Sequence, residues 1–387
     1  MKLKYVSLLA LLPIFYSCDP EVIPPDPISE NKIINSDITQ NTTWYSDTVY
    51  QLGGRISVVD GVTLTIQPGT IIKGEAGTGA NATALLIARG GKLIAEGTPS
   101  LPIIFTSVAD EITPEQILTG NFKSPNLDPT INGLWGGLIV LGHAPISASN
   151  TTGDVSSVQI EGIPTSDPNG LYGGINPHDN SGIISYVSIR HGGANIGSGN
   201  EINGLTLGGV GNSTVVNNIE IVANQDDAIE FFGGTVNVSY LVSWNAGDDG
   251  IDTDQSWSGN LTDFVVISPG NHCFELDGPE GSYEAGHNIS NGDIYVGSGQ
   301  DLINVDQNSI VNLSHLYFTD IQSNLSKINR TTAPGVTFSN IVLNVDNNTV
   351  GDYINGTLPQ SAVVGGQIPK ANTSGLGWTW ASQENVF

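Results

Sequence analysis

Two acid-rich stretches in the middle of the chain place carboxylates where they could build a site. The stretch NQDDAIEFFGG begins at Asn224, and AGDDGIDTD begins at Ala246. In each stretch, an acid pair is followed by a small residue, an isoleucine and another acid. Clustered carboxylate oxygens are the ligands that Ca²⁺ prefers. The candidate calcium ligands are Asp226, Asp227, Glu230, Asp248, Asp249, Asp252, Asp254 and Glu275.

The same residues also permit a purely structural interpretation. Asp and Asn are favoured at tight corners, where they tolerate left-handed backbone geometry and hydrogen-bond the main chain. The stretch DTDQS at Asp252 has alternating oxygens like the start of a calcium loop, but it lacks the later Gly and Glu of an EF-hand. Corner formation, calcium binding and catalysis therefore all stay open for this cluster.

Two tryptophans close to the acids are candidates for stacking on sugar rings. Trp257 lies in the polar stretch DQSWSGN, so we expect its ring to be exposed. Trp244 shortly precedes the second acid pair, although its position in an apolar run also suits the core. Aromatic rings with one polar end are common at binding surfaces.

A short β-type pattern repeats along the chain and carries these acids. The stretch AIEF at Ala228 is matched by GIDT at Gly250 and by CFEL at Cys273. Further copies are GLTL at Gly204 and LINV at Leu302, so the spacing is 22 to 29 residues. A period in the twenties with Gly- and Asn-rich turns indicates a β-solenoid. The apolar second positions of the copies are Leu205, Ile229, Ile251, Phe274 and Ile303.

Strand geometry predicts which way the residues of each copy point. Because side chains alternate between the two faces of a strand, Ile229 should face the core and Glu230 should face outward. Coils stacked about 4.8 Å apart then align the outward residues in one column. Its members are Thr206, Glu230, Asp252, Glu275 and Asn304. Carboxylates this close repel by about 3–4 kcal/mol at an effective dielectric near 20, which a proton or a cation would relieve.

The N-terminal part of the chain repeats in the same way. DGVTLTIQPGT at Asp60 aligns with GGKLIAEGT at Gly90, and this part resembles the pectin-lyase-like superfamily. The resemblance implies an all-β fold, a single-stranded right-handed parallel β-helix, which we assign to residues 36–350. Pro-, Gly- and Asn-rich residues 110–129 and 143–182 are expected to leave the helix as loop excursions.

The last part of the chain, residues 351–387, loses the repeat and is expected to form a C-terminal cap. Its stretch GLGWTWAS contains Trp378 and Trp380, which we expect to shield the last coil.

Acidic charge dominates the chain, with 38 Asp and Glu against 12 Lys and Arg. The formal charge of −26 disfavours nucleic acid as a partner and suits divalent cations and neutral ligands. We expect a monomer. The chain has two cysteines, Cys18 and Cys273, and acylation of Cys18 would leave Cys273 without a partner, which excludes an intramolecular disulfide in the mature protein.

The first residues carry an export signal. Lys2 and Lys4 precede a short apolar run, and a small residue precedes Cys18. This layout resembles a lipoprotein signal over residues 1–17, which would leave Cys18 acylated at the head of a Pro-rich tether over residues 18–35. The alternative is an ordinary cleaved signal with an incidental cysteine.

Several long phrases also resemble a family of β-helical lipoproteins of the Bacteroidetes-type outer membrane. They are LWGGLIVLGHAPI at Leu134, IRHGGANIGSGNEINGLTLGGVG at Ile189, NQDDAIEFFGGTVNV at Asn224 and the closing GWTWA at Gly377. The resemblance implies a lipid anchor in the cell outer membrane, facing either the periplasm or the cell surface. It implies no established activity.

The corners before three successive copies also resemble those of β-helical polygalacturonases, with acid pairs followed by a histidine. By that resemblance, Asp227 and either Asp248 or Asp249 would act as acid and base, assisted by His272. The corner departs from the family because Cys273 replaces a glycine and no Arg-x-Lys follows, so acidic pectin is an unsuitable substrate.

The sequence therefore favours a non-enzymatic surface lipoprotein whose β-helical face binds a glycan or a protein partner, with calcium at the acid cluster. The alternative is a polysaccharide hydrolase or lyase that uses the same cluster.

Overall fold

The computed structural model describes residues 31–196, 201–297, 301–322, 326–346, 348–356 and 370–387. Cys18 and the signal at residues 1–17 lie outside the described residues, so lipidation stays a prediction. Among the helices in the described ranges, none combines the length and apolar character that crossing a bilayer requires.

Short strands make up most of the described chain. In chain order they are β1 (Lys32–Ile34), β2 (Thr42–Trp44), β3 (Val49–Leu52), β4 (Arg55–Val58), β5 (Thr63–Ile66), β6 (Ile71–Gly74), β7 (Ala84–Ile87), β8 (Lys92–Glu96), β9 (Ile103–Ser107), β10 (Leu138–Leu141), β11 (Ala148–Asn150), β12 (Gly153–Val155), β13 (Val158–Gln159), β14 (Leu171–Tyr172), β15 (Gly182–Arg190), β16 (Leu205–Gly208), β17 (Val215–Val222), β18 (Ile229–Phe232), β19 (Asn237–Trp244), β20 (Asp252–Asp254), β21 (Asn260–Ile267), β22 (Glu275–Leu276), β23 (His287–Gly297), β24 (Asn304–Val305), β25 (Val311–Ile321) and β26 (Val336–Leu343). The α-helices are α1 (Pro114–Leu118) and α2 (Trp380–Gln383), and the 3₁₀ turns are Gly79–Asn81, Pro168–Gly170, Val350–Tyr353 and Thr373–Gly375.

The strands stack into two long sheets, and the predicted parallel β-helix is confirmed. Sheet A runs β1-β3-β6-β9-β15-β17-β19-β21-β23-β25-β26, with β2, β5 and β8 alongside. Sheet B runs β4-β7-β10-β16-β18-β20-β22-β24. Every strand pair in the two sheets is parallel. Two antiparallel hairpins, β11–β12 and β13–β14, lie in the excursion at 143–182.

A column of single residues bends sheet A into two halves. Midway along each long strand, the pairing skips a residue that has a left-handed backbone. These residues are Tyr186, Asn218, Tyr240, Asp263, Asn291, His315 and Asn340, with φ between 52° and 60°. Asn, Asp and His tolerate this geometry better than most side chains. Residues before the bend form the first half of sheet A, and residues after it form the second half.

The interior of the helix is the apolar column that the repeat predicted. Leu205, Ile229, Ile251, Phe274 and Ile303 are each fully buried in one core. Ile229 lies opposite Leu205 in the ladder. Burying a side chain of this size contributes roughly 1.5–3 kcal/mol, and each coil repeats that contribution.

Both excursions fold back onto the outside of the helix. Ile146, Ile160 and Tyr172, from residues 143–182, pack on the outer face of sheet B against Leu141 and other apolar residues. Residues 110–129 carry α1, capped by Thr113 through a reciprocal pair of hydrogen bonds with Gln116. The excursions thus bury apolar surface on the outside of the coils.

Two boundary predictions need correction. Lys32–Ile34 pairs with β3, so the helix begins inside the segment that we assigned to the flexible tether. Trp378 and Trp380 do not shield the last coil: Trp380 contacts Trp244, and Trp378 contacts Tyr186. The apolar outer face of sheet A gives these rings a burial site in the middle of the helix.

Candidate functional site

The predicted column of outward residues is in register on sheet B. Thr206 lies opposite Glu230, and Glu230 lies opposite Asp252. Asp252 in turn lies opposite Glu275, which lies opposite Asn304. Stacking therefore brings three carboxylates together on successive coils, about 4.8 Å apart.

A second column of acids runs beside the first, and the sequence analysis identified only its first member, Asp254. Asp254 follows the buried Thr253, two residues beyond Asp252. Asp277 donates its backbone N–H to the Thr253 carbonyl at 2.7 Å, and Asp306 donates to the Leu276 carbonyl at 3.0 Å. The alternation that turns Asp252 outward does the same for these acids, so the signal was present. We call Glu230, Asp252, Asp254, Glu275, Asp277 and Asp306 the carboxylate face.

The acids at the coil corners bond to the backbone of the next coil. Asp227 Oδ1 accepts the N–H of Asp249 at 2.8 Å, and Asp249 Oδ1 accepts the N–H of His272 at 2.6 Å. Asp301 Oδ1 accepts the N–H of Lys327 at 3.0 Å in the same way. This geometry gives Asp227 and Asp249 the structural corner role that the sequence left open.

His272 lies between two carboxylates at the edge of the face. Its Nδ1 is 3.0 Å from Asp249 Oδ1 and 3.9 Å from Glu275 Oε2. Burial lowers the pKa of His272, but the hydrogen bond and charge of Asp249, with the charge of Glu275, raise it overall. Asp249 and Glu275 therefore favour the charged imidazolium form of His272.

Several carboxyl groups of the carboxylate face have raised pKa values. Burial raises the pKa of Asp254 to about 8, with the charge of Glu280 adding to it. Burial and the neighbouring Asp249 raise the pKa of Glu275 to about 8. Burial, followed by the charges of neighbouring acids, also raises the pKa of Glu230 and Asp252 well above their ordinary values. These four carboxyl groups therefore bind protons more tightly than ordinary carboxyl groups do, and a bound cation would replace those protons.

Among the described residues, three groups of side chains could hold a cation, and two of them share Asp227. The groups are Asp226, Asp227 and Asp248; Asp227, Glu230 and Asp252; and Asp249, His272 and Glu275, each with ligand atoms within 4.8 Å of one another. The second group fits an oxygen-seeking ion best, because Asp252 Oδ1 is buried without a hydrogen-bond partner in the described part of the chain. The third includes an imidazole, which suits transition metals better.

Two further acids reach the cluster from other parts of the chain. After burial, the charges of Glu161 and then Glu201 contribute most to raising the pKa of Asp226 to about 7. Glu161 belongs to the excursion at 143–182, and its charge also raises the pKa of Glu230. No local pattern in the sequence places Glu161 beside Asp226, whereas Glu201 precedes Asp226 by about the length of one coil.

The two tryptophans proposed to bind sugar are buried, so that prediction is wrong. Trp257 is fully buried, stacks on Phe231 with ring centroids 4.0 Å apart, and donates its Nε1–H to the Val236 carbonyl at 3.0 Å. Left-handed backbone at Gln255 and Ser256 (φ 52° and 60°) marks the tight turn that precedes it.

Trp244 is also buried. Its ring meets that of Trp380 edge-on, with the centroids 5.6 Å apart. Neither Trp244 nor Trp257 therefore offers a face to a ligand.

Comparison with known proteins agrees with this architecture. A family model described as the pectate-lyase like beta helix domain matches residues 36–296. The chain belongs to the pectate-lyase-like β-helix family. No curated protein and no solved structure matches the chain.

Membership in the pectate-lyase-like family does not by itself give the corner acids a catalytic role. Ligand oxygens of Asp227 and Asp248 lie within 4.8 Å of each other. Inverting hydrolases separate their two carboxyl groups by roughly 6.5–9.5 Å to admit a water. Asp227, Asp249 and His272 are also held in bonds between coils, which leaves Asp248 as the partly exposed acid of the predicted catalytic set.

Proposed function

We propose that this pectate-lyase-like β-helix is a non-catalytic binding protein whose carboxylate face holds Ca²⁺. The observation that carries the proposal is the column Glu230, Asp252 and Glu275, in register and with a buried, unpartnered oxygen at its centre. A cation bound by Asp227, Glu230 and Asp252 would relieve the repulsion between them and give Asp252 Oδ1 a partner. The first group, Asp226, Asp227 and Asp248, would hold a second ion at the rim.

We further propose that the bound calcium presents the face to a glycan. Ca²⁺ accepts six to eight oxygen ligands, and carboxylates on a flat sheet approach it from one side. Sugar hydroxyls can fill the open positions on the other side. The formal charge of −26 disfavours acidic polysaccharides and favours neutral ones. A surface protein that binds through the same ions is the other partner that the test below distinguishes.

The proposal places the protein at the outer membrane, anchored by acyl chains on Cys18. Its support is the signal-like layout of residues 1–17 and the resemblance to Bacteroidetes-type lipoproteins. Metabolic labelling with a fatty acid tests the anchor, with Cys18→Ala as the variant that should lose the label. Label retained on that variant would exclude acylation at this position.

Calcium titration of the chelator-stripped protein tests the binding site. We expect Ca²⁺ to raise the melting temperature in a concentration-dependent way, because an ion that binds only the folded state stabilises it by mass action. Asp252→Asn should remove most of the rise. Asp47→Asn, at an exposed carboxylate in an N-terminal coil, should keep it. A melting temperature insensitive to Ca²⁺ in the parent protein would refute the site.

Glycan arrays with and without Ca²⁺ then test the partner. Retention on neutral glycans that disappears with chelator supports the proposal. Calcium-dependent melting without any glycan retention would leave a calcium-bridged protein partner as the better hypothesis.

One observation favours a catalytic alternative, a polysaccharide hydrolase or lyase. Asp248 is partly exposed, and it lies next to the hydrogen-bonded Asp249 and His272. A screen of neutral and acidic polysaccharides for reducing ends and unsaturated products decides between the two. We expect no release. Product that forms with the parent protein but not with Asp248→Asn would establish the enzyme.

A further inference from the structure

The C-terminal segment, residues 370–387, lies across the outer face of the second half of sheet A. The N–H of Ala371 donates to Asp293 Oδ1 on β23, and the N–H of Asn372 donates to Asp263 Oδ1 on β21, both at 3.2 Å. The Nδ2 of Asn372 donates to the Tyr240 hydroxyl on β19 at 3.3 Å. The segment therefore crosses successive coils in the direction opposite to their order in the chain.

Two tryptophans anchor this segment in the middle of the helix. Trp380 is 2% exposed, and its ring meets Trp244 edge-on at 5.6 Å and His191 at 5.8 Å. The guanidinium carbon of Arg190 lies 5.1 Å from the centroid of the same ring. Trp378 is 4% exposed and meets Tyr186 at 5.8 Å. Buried aromatic anchors next to a cation are the usual energetic centre of a protein–peptide interface.

A buried polar network below the segment includes a carboxylate oxygen that accepts a hydrogen bond from the segment. Arg190 and Glu220 form an ion pair at 3.4 Å, and both side chains are fully buried. Ser188 Oγ donates to Glu220 Oε2 at 2.6 Å. The other oxygen, Glu220 Oε1, accepts the backbone N–H of Ala381 at 2.9 Å. Because an unpaired buried charge destabilises the folded protein, the network favours a peptide N–H opposite Glu220 Oε1.

A second set of contacts ties the segment to the excursion at 110–129. Gln383 accepts the N–H of Phe122 at 3.1 Å and donates to the Gly120 carbonyl at 2.9 Å. Glu384 pairs with Lys123 at 3.0 Å. The side-chain amide of Gln383 thus both accepts from and donates to the backbone of residues 120–122, as the backbone of a neighbouring strand would. All of these contacts between the segment and the coils that it covers are noncovalent.

We propose that the second half of sheet A and the adjoining residues 110–129 form a peptide-binding surface and that residues 370–387 are its resident ligand. The surface recognises a Trp-x-Trp pair, an N–H directed at Glu220 and a glutamine directed at Gly120 and Phe122. The partner with this chemistry is the C-terminal segment of a second copy of the chain, which can replace the resident segment on the same surface. This surface lies on sheet A and is independent of the carboxylate face on sheet B.

The test uses the full chain with a protease site inserted between residues 357 and 369. After cleavage, we expect the C-terminal fragment to stay bound on gel filtration and the circular dichroism spectrum to stay unchanged. A labelled peptide of residues 370–387 should then exchange into the nicked protein. A peptide with Trp380→Ala should bind at least tenfold more weakly, as expected when a central aromatic anchor is removed.

Two matched variants complete the test. A peptide with Ser374→Ala should bind like the parent, because Ser374 is exposed and its hydroxyl bonds Asn372 within the segment. Glu220→Gln in the nicked protein should weaken binding of the parent peptide.

Three outcomes would overturn the proposal. The fragment could separate while the coils stay folded, or the nicked chain could unfold, which would make the segment an integral part of the fold. Equal binding of the parent and Trp380→Ala peptides would remove the proposed recognition.

Discussion

Sheets A and B each carry a polar column on their outer face, and the two columns behave in opposite ways. On sheet A, Asn237, Asn260, Asn288 and Asn312 lie on successive coils. The side-chain N–H₂ groups of Asn260, Asn288 and Asn312 donate to the amide oxygen of the asparagine on the previous coil, at 2.6, 2.8 and 2.9 Å respectively. An amide has both a donor and an acceptor, so the column satisfies itself.

The carboxylate column on sheet B has the same spacing but lacks donors. Ionised carboxylates only accept hydrogen bonds. Glu230 finds a donor in Asn203, and Glu275 finds one in Asn304, whereas Asp252 Oδ1 between them has none in the described chain. The comparison shows that coil stacking fixes where side chains meet, while their chemistry decides whether the column needs a proton or a cation.

The largest expected effect is on the pH dependence of stability. Carboxyl groups with pKa raised from 3.8 to about 8 at Asp254, and from 4.5 to about 8 at Glu275, bind protons more tightly folded than unfolded. Stability therefore increases as the pH falls from about 8 towards about 4 and is lost again as it rises. We expect the metal-free protein to gain roughly 2–4 kcal/mol between pH 8.5 and pH 5.

Urea unfolding across this pH range measures the effect. Saturating Ca²⁺ should flatten the curve, because the ion replaces the protons. A metal-free protein that is more stable at pH 8.5 than at pH 5 would contradict the assignment of raised pKa values to this face.

A smaller effect is expected when one carboxylate is turned into an amide. Asp252→Asn replaces the central carboxyl group, which is uncharged only while it holds a proton, with an amide that stays uncharged and supplies a donor to both neighbours, so it makes the acidic column resemble the asparagine column. We expect a gain of about 2 kcal/mol in the metal-free protein at pH 8, together with loss of the response to Ca²⁺.

The reverse substitution at the end of the same column is the matched control. Asn304→Asp removes the donor to Glu275 Oε1 and adds a fourth charge, so it should lower stability under the same conditions. Urea unfolding of both variants tests the pair, and effects of the same sign would contradict electrostatic repulsion as the cause.

The smallest effect is expected in the asparagine column. Asn260→Asp removes the N–H₂ that donates to Asn237 Oδ1 and should cost about 1 kcal/mol in urea unfolding at pH 8. Asn41→Asp is the control, because Asn41 uses its side-chain oxygen to accept the N–H of Thr63, and Asp keeps that acceptor. Equal costs for the two variants would show that the amide donor contributes nothing.

The repeat made the coils and the first acid column predictable, whereas distant contacts were not. The spacing of Ile229 and Ile251 reports a local property, the length of one coil. The position of Glu161 beside Asp226 depends on how a 40-residue excursion folds back, which no period records. Trp257 was mispredicted because polar neighbours suggest exposure, while a tight left-handed turn precedes the buried ring. The C-terminal tryptophans are buried by tertiary contacts with residues far away in sequence, Trp380 with Trp244 and Trp378 with Tyr186.

The bend of sheet A restricts where this protein can change its length. Each coil makes that bend with one left-handed residue, from Tyr186 to Asn340, so an added residue there would break the register of two strands. The two excursions lie instead between strands: 110–129 follows β9 of sheet A, and 143–182 follows β10 of sheet B. Insertions acquired during evolution are therefore expected between strands, where new loops can add surface without disturbing the coils.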